Sequence, residues 1–106
     1  GLTLLREDFG GAPFMVAVVS RPPTEDLEKL ENPLSTATAV QNLCLAAWDA
    51  GVGTVWLSVG AAPPARPILR IEEGASVVAL LALGYPEEVP PAPPRDPHTS
   101  HLREVP

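Results

Sequence analysis

Apolar positions in this 106-residue chain fall into blocks separated by glycine and proline. Phe14 to Ser20, FMVAVVS, is a valine-rich run introduced by Gly10-Gly11 and Pro13, and it predicts a strand buried on both faces. Thr54 to Val59, TVWLSV, has the β-branched and aromatic content of a second strand. Ser76 to Leu83, SVVALLAL, lies between Gly74 and Gly84, and its length favours a third buried strand over a helix. A short helix is expected over Ala65 to Ile71, where Pro67 sits in the first turn and Ile68, Leu69 and Ile71 supply an apolar side. Arg21 to Glu31 is polar and proline-led. It reads as a solvated connector, or as a short helical turn started by Thr24-Glu25-Asp26 with Leu27 and Leu30 turned inward.

The longest block is Asn32 to Gly51, NPLSTATAVQNLCLAAWDAG. Asn32 suits an N-cap, Pro33 the first helical position and Gly51 a left-handed C-terminal residue, so a helix over 33–50 is expected. Between Glu31 and Asp49 no side chain is charged, and Leu34, Ala37, Val40, Leu43, Cys44, Leu45, Ala46, Ala47 and Trp48 fall on every side. A helix apolar all round must be covered all round. At 1.5 Å per residue it is roughly 27 Å long, about the diameter of a small domain. The rest of the chain is too short to cover it, which implies a core completed by another chain or by more of the same protein.

Two terminal stretches differ from this middle. Leu2, Leu4, Leu5 and Phe9 have near-helical spacing with no cap before them, so residues 1–11 read as the end of a preceding segment. Fourteen prolines make up about 13% of the chain, against a usual ~5%. Six of them lie between Pro86 and Pro97, so residues 85–106 form an extended proline-rich tail without a core of its own.

Charge and composition then narrow the partners. A net charge of −6 with seven Lys plus Arg argues against nucleic acid, whose phosphates need a basic surface. No apolar run approaches the ~18 residues of a membrane span, so no membrane partner is expected and the protein reads as soluble and cytoplasmic. Cys44, alone and inside the apolar helix, reads as a small buried hydrophobe. His98 and His101 share one side of a helical turn, but no Cys or carboxylate cluster completes a metal site, and no metal is expected. Phosphate loops, cysteine pairs and nucleophile elbows are absent from the sequence. By spacing alone, strand, long helix, strand, short helix, strand suggests helices layered on a sheet, with a parallel strand-helix-strand unit favoured.

Three blocks carry a more specific signal. In AVQNLCLAAWDAGVGTVWLSV (39–59), the residues Gln41, Asn42, Leu43, Leu45, Ala46, Ala47, Gly51, Gly53, Thr54 and Trp56 match a pattern that is followed by Leu83, Gly84, Tyr85 and Pro86, and then by Arg95 in the proline-rich stretch. Over residues 12–97 the chain resembles the C-terminal half of the FMN-dependent nitroreductase family. The resemblance implies an α+β, nitroreductase-like three-layer fold with a mainly antiparallel sheet. This chain would be its C-terminal portion, completed by another chain or by an N-terminal half. Residues 12–84 would then be the C-terminal part of the domain, with helix 33–50 at the interface of an intertwined homodimer and residues 85–106 wrapped on the partner.

It also implies chemistry. Proteins similar to this one pass a hydride from NADH or NADPH to FMN and then to a small-molecule electron acceptor such as a nitroaromatic or quinone, by a ping-pong scheme in which the cofactor does the redox work. The implied cofactor-binding residues are Trp56, Leu57, Ser58 and Val59, whose backbone N–H groups would face the flavin ring, and Arg95, which would bind its phosphate. No catalytic acid or base is implied. On their own, the first four are strand residues ended by a glycine turn, and Arg95 is a solvated tail arginine. Ser58-Val59 stands where the family often has glycine, and no Arg-x-Ser-x-Arg run for the main phosphate site occurs. The alternative is a flavin-free dimerisation or ligand-binding module that retains the family core.

Overall fold

The computed structural model describes residues 11–106. The expectation for residues 1–11 therefore lies, apart from Gly11, outside the described residues. Strand β1 spans Phe14–Ser20, helix α1 Asp26–Asp49, strand β2 Gly53–Leu57, helix α2 Ala65–Leu69 and strand β3 Ser76–Gly84. Two short 3₁₀ turns, Ser58–Ala61 and His98–His101, complete the regular structure among the described residues.

The three strands form one sheet in the order β1-β3-β2, and both pairings are antiparallel. Strands β1 and β2 consequently run in the same direction with α1 crossing between them. The parallel unit favoured by spacing is thus present but split: β3 occupies the gap, so no parallel ladder forms. The family resemblance, which implied an antiparallel sheet, agrees with this arrangement. Central β3 is hydrogen-bonded on both sides and covered on both faces, which explains its unbroken apolar sequence. Ala79, Leu80, Leu81 and Ala82 are all buried, whereas β1, expected to be buried on both faces, is an edge strand with Phe14, Val16 and Val19 exposed and only Ser20 buried. A bulge lies between the pairs Val18–Ala79 and Val19–Val77.

Helix α1 begins seven residues before the expected start at 33, so Arg21 to Glu31 is only partly a connector. Its first turn is stabilised by acidic Asp26 and Glu28, which complement the positive end of the helix dipole. The Glu28 carboxylate accepts from the Thr24 N–H at 2.7 Å and the Thr24 hydroxyl at 2.9 Å, and pairs with Arg21 at 3.1 Å. These contacts hold the carboxyl below the usual carboxylate range, with the Thr24 backbone bond as the largest cause. Pro33 therefore lies inside the helix, where it removes the N–H that would bond the Lys29 carbonyl. At the other end the sequence expectation holds. Gly51 is left-handed at φ 81°, with its N–H bonded to Trp48 O at 2.9 Å and the Val52 N–H to Ala47 O at 2.8 Å, the pair of bonds of a Schellman motif.

One face of α1 packs on the sheet through Val40, which meets Ala79 and Leu81, with Val18, Leu43, Cys44 and Leu83 around them. Cys44, expected to be buried, is a free, half-buried thiol packed against that cluster. A second stripe, roughly a third of a turn round the helix from Val40, carries Leu27, Leu30, Leu34, Leu45 and Trp48, all exposed. Nothing among the described residues covers this apolar stripe. The second face of the sheet carries the Ser58–Ala61 turn and α2, with an apolar groove of about 400 Å³ between Met15, Val59, Ile68, Leu69 and Leu80. Residues 85–106 are exposed throughout. The radius of gyration is 16.8 Å, against about 13 Å for a compact domain of this length.

Candidate functional site

Trp56, Leu57, Ser58 and Val59 lie in one continuous stretch where edge strand β2 becomes a 3₁₀ turn, so the strand expected over 54–59 ends at Leu57. The turn starts there because the chain leaves the ladder to lie over the sheet. Trp56 is opposite Leu81, which puts its ring on the α1 side at the sheet edge, half exposed. Leu57 is opposite Leu80 and faces the other side. Ser58 and Val59 are exposed. Strand β2 bonds to β3 along one edge, and no strand among the described residues covers the other, so backbone donors and acceptors face outward there.

Gly60 is the residue that the sequence reading passed over as a strand terminator. It is fully buried, and a Cβ built on it would sit 2.6 Å from the Leu80 Cβ and 3.4 Å from Val77 Cγ1. Only glycine fits against the sheet at that point. The sequence signal was a glycine directly after Ser58-Val59 at the end of a predicted strand, which composition cannot separate from an ordinary loop glycine.

Behind the turn, α2 is tied to the start of β3 by one side chain. The Arg66 guanidinium donates to the Ala75 carbonyl at 2.8 Å and the Glu72 carbonyl at 3.0 Å. Its charge is thereby committed to closing the loop before β3. Arg95 lies on the exposed tail and has no hydrogen bond or ion pair among the described residues, so the structure does not join it to the Trp56–Val59 segment. His98 and His101 fall in one exposed 3₁₀ turn, and no group of three or more metal-ligating side chains exists among the described residues. Likewise no described helix is long and apolar enough to cross a membrane.

The arrangement suits a flat ligand that needs outward backbone donors at a strand end. It supplies no clustered cations, so a phosphate on that ligand would rely on Arg95 or on groups beyond the described residues.

Residues 2–85 match the model of the nitroreductase family. Over 102 residues the chain is 24% identical to a Bacillus subtilis (strain 168) protein that carries the provisional name NAD(P)H nitroreductase YfhC, covering 94% of this chain and 53% of that protein. A crystal structure of a nitroreductase-like family protein from Bacillus cereus is similar with a TM-score of 0.82 at 25% identity, over 97% of this chain and 56% of that one. A nitroreductase family protein from Clostridium difficile 630 shares the fold at a TM-score of 0.69 and 19% identity, over 97% of this chain and 66% of that one. The chain thus spans about half the length of that Bacillus subtilis relative.

Proposed function

The chain belongs to the nitroreductase family, and from that premise we propose that it forms the C-terminal portion of an FMN-dependent NAD(P)H oxidoreductase acting on small acceptors such as nitroaromatics or quinones. Membership supports an oxidoreductase; the cofactor, the acceptors and the two-step alternation of substrates are this reading's own extension.

The observation that carries it is the placement of Trp56 to Val59. An edge strand whose outer backbone has no partner among the described residues leads into a turn seated on the sheet, which suits aiming fixed N–H dipoles at a flavin ring. Bound FMN would supply hydride transfer between NAD(P)H and the acceptor. The chain's own residues hold and orient it. The backbone of Trp56, Leu57, Ser58 and Val59 would face the ring, and the Arg95 guanidinium, suited to bidentate contact, would hold the phosphate. Arg95 reaches that phosphate from the tail, which in this reading lies on a second protomer. Helix α1 supplies the dimer contact through its uncovered stripe of Leu27, Leu30, Leu34, Leu45 and Trp48.

The test is the visible absorption spectrum of the purified full-length protein, recorded with its native mass. A flavin spectrum in a dimer, bleached by NADH or NADPH and restored by a quinone, supports the reading. A colourless protein that takes up no added FMN refutes it and leaves the flavin-free module.

A further inference from the structure

Both ends of the candidate ring-facing segment are referenced to a single residue of the central strand. Leu57 is paired with Leu80 in the β2–β3 ladder, and three residues later Gly60 packs directly on the Leu80 side chain. Between these two anchors, Ser58 and Val59 arch outward and are exposed. Leu80 cannot yield, because its strand is bonded on both sides, to Ala17 in β1 and to Leu57 in β2. The contact atom at 2.6 Å is moreover the Leu80 Cβ, which no rotamer change can move away. Val77 closes the same spot at 3.4 Å.

We infer that Gly60 is a positioning residue for the flavin: its missing Cβ sets the height of the Ser58-Val59 arch over the sheet, and so the distance from the arch's backbone donors to the ring. This rests on the flavin reading above. Adding a methyl at Gly60 would need roughly 1 Å of displacement to restore ordinary contact, and displacements of about 1 Å cost on the order of 100-fold in reactions that depend on alignment. The turn is the part that moves, since the strand beneath it is fixed from both sides.

The experiment compares the full-length wild type with Gly60→Ala, Leu80→Gly and a control, Val40→Ala, on the helix that packs against the opposite face of the sheet. FMN affinity is read by titration, the ring's surroundings by the position of its visible bands, and stability by denaturant midpoint. Gly60→Ala is expected to weaken FMN binding tenfold or more and to shift the bands. Leu80→Gly, which removes the Cβ beneath Gly60 and lets the turn settle without a clash, also shifts affinity and bands, and decides the matter if Gly60→Ala does not fold. The control loses stability but keeps the wild-type affinity and bands. A Gly60→Ala protein with wild-type affinity and bands overturns the inference, as does a control that shifts them equally, which would mark Gly60 as merely structural. A wild type that binds no FMN instead sinks the functional reading itself.

Discussion

Replacing Leu34 and Leu45 together by lysine is expected to convert the proposed dimer to monomer and release its flavin. Both side chains lie on the uncovered side of α1, at 58% and 59% exposure, in line with Leu27, Leu30 and Trp48. Full burial of a leucine contributes about 1.5–3 kcal/mol, so completing the burial of one that is already two-fifths covered contributes about 1–2 kcal/mol. Trp48 is 51% exposed; with a side chain that buries about 200 Å², it adds roughly 2.5 kcal/mol at ~25 cal/mol per Å². A two-fold axis doubles the stripe, for a gross gain of about 13–21 kcal/mol against an association cost of about 4–15 kcal/mol. The margin is therefore only several kcal/mol. Four leucines lost per dimer remove about 4–8 kcal/mol, and lysines facing lysines across the axis add repulsion, so Kd should rise at least about 1,000-fold. Sedimentation velocity at micromolar concentration, read at the protein and flavin wavelengths together, measures this. A double variant that stays dimeric with its flavin refutes the reasoning. So does one that unfolds without dissociating first, because the stripe would then be covered within a single chain.

Further outcomes follow from individual contacts. Leu81→Ala should lower stability by about 3 kcal/mol, within the ~2–5 kcal/mol seen for buried leucines, because Leu81 is wholly buried between Val40 and Ala79; a denaturant midpoint shift checks it. Gly51→Ala should cost about 1–2 kcal/mol from backbone strain alone, since its φ is +81° and nothing lies within 4 Å of the added methyl. The Glu28 carboxyl is held below its usual value by Thr24 and Arg21, so its contribution is complete above about pH 4.5 and is lost as pH falls through the lowered value. Glu28→Gln should accordingly flatten the acid limb of the stability profile, and an unchanged limb would rule out this cap. Arg95→Ala should weaken FMN binding by roughly ten- to a hundredfold, the equivalent of a charged hydrogen bond of about 1.5–3 kcal/mol, without changing the native mass.

Local chemistry determined several features by itself. The run FMVAVVS became β1 with the expected limits, and SVVALLAL became β3 extended by Gly84, because continuous apolar stretches between glycines and prolines have few other solutions. Gly51 ended α1 because the left-handed residue of a Schellman motif is a property of five or six neighbouring residues. The stretch without charge between Glu31 and Asp49 already implied cover from outside the chain, and Leu34, Leu45 and Trp48 in it are bare among the described residues; Leu27 and Leu30, expected to turn inward, are exposed as well. Three features were decided by the tertiary structure alone. Helix α1 runs from Asp26 through Pro33 because the Thr24–Glu28–Arg21 cluster and packing on the sheet outweigh a proline that local rules place at a helix start. Strand β3 lies between β1 and β2, since pairing depends on register between residues some sixty apart, to which no local signal speaks. Gly60 took its role only when Leu80 came to lie beneath it, because the need for a missing Cβ is set by a neighbour twenty residues away.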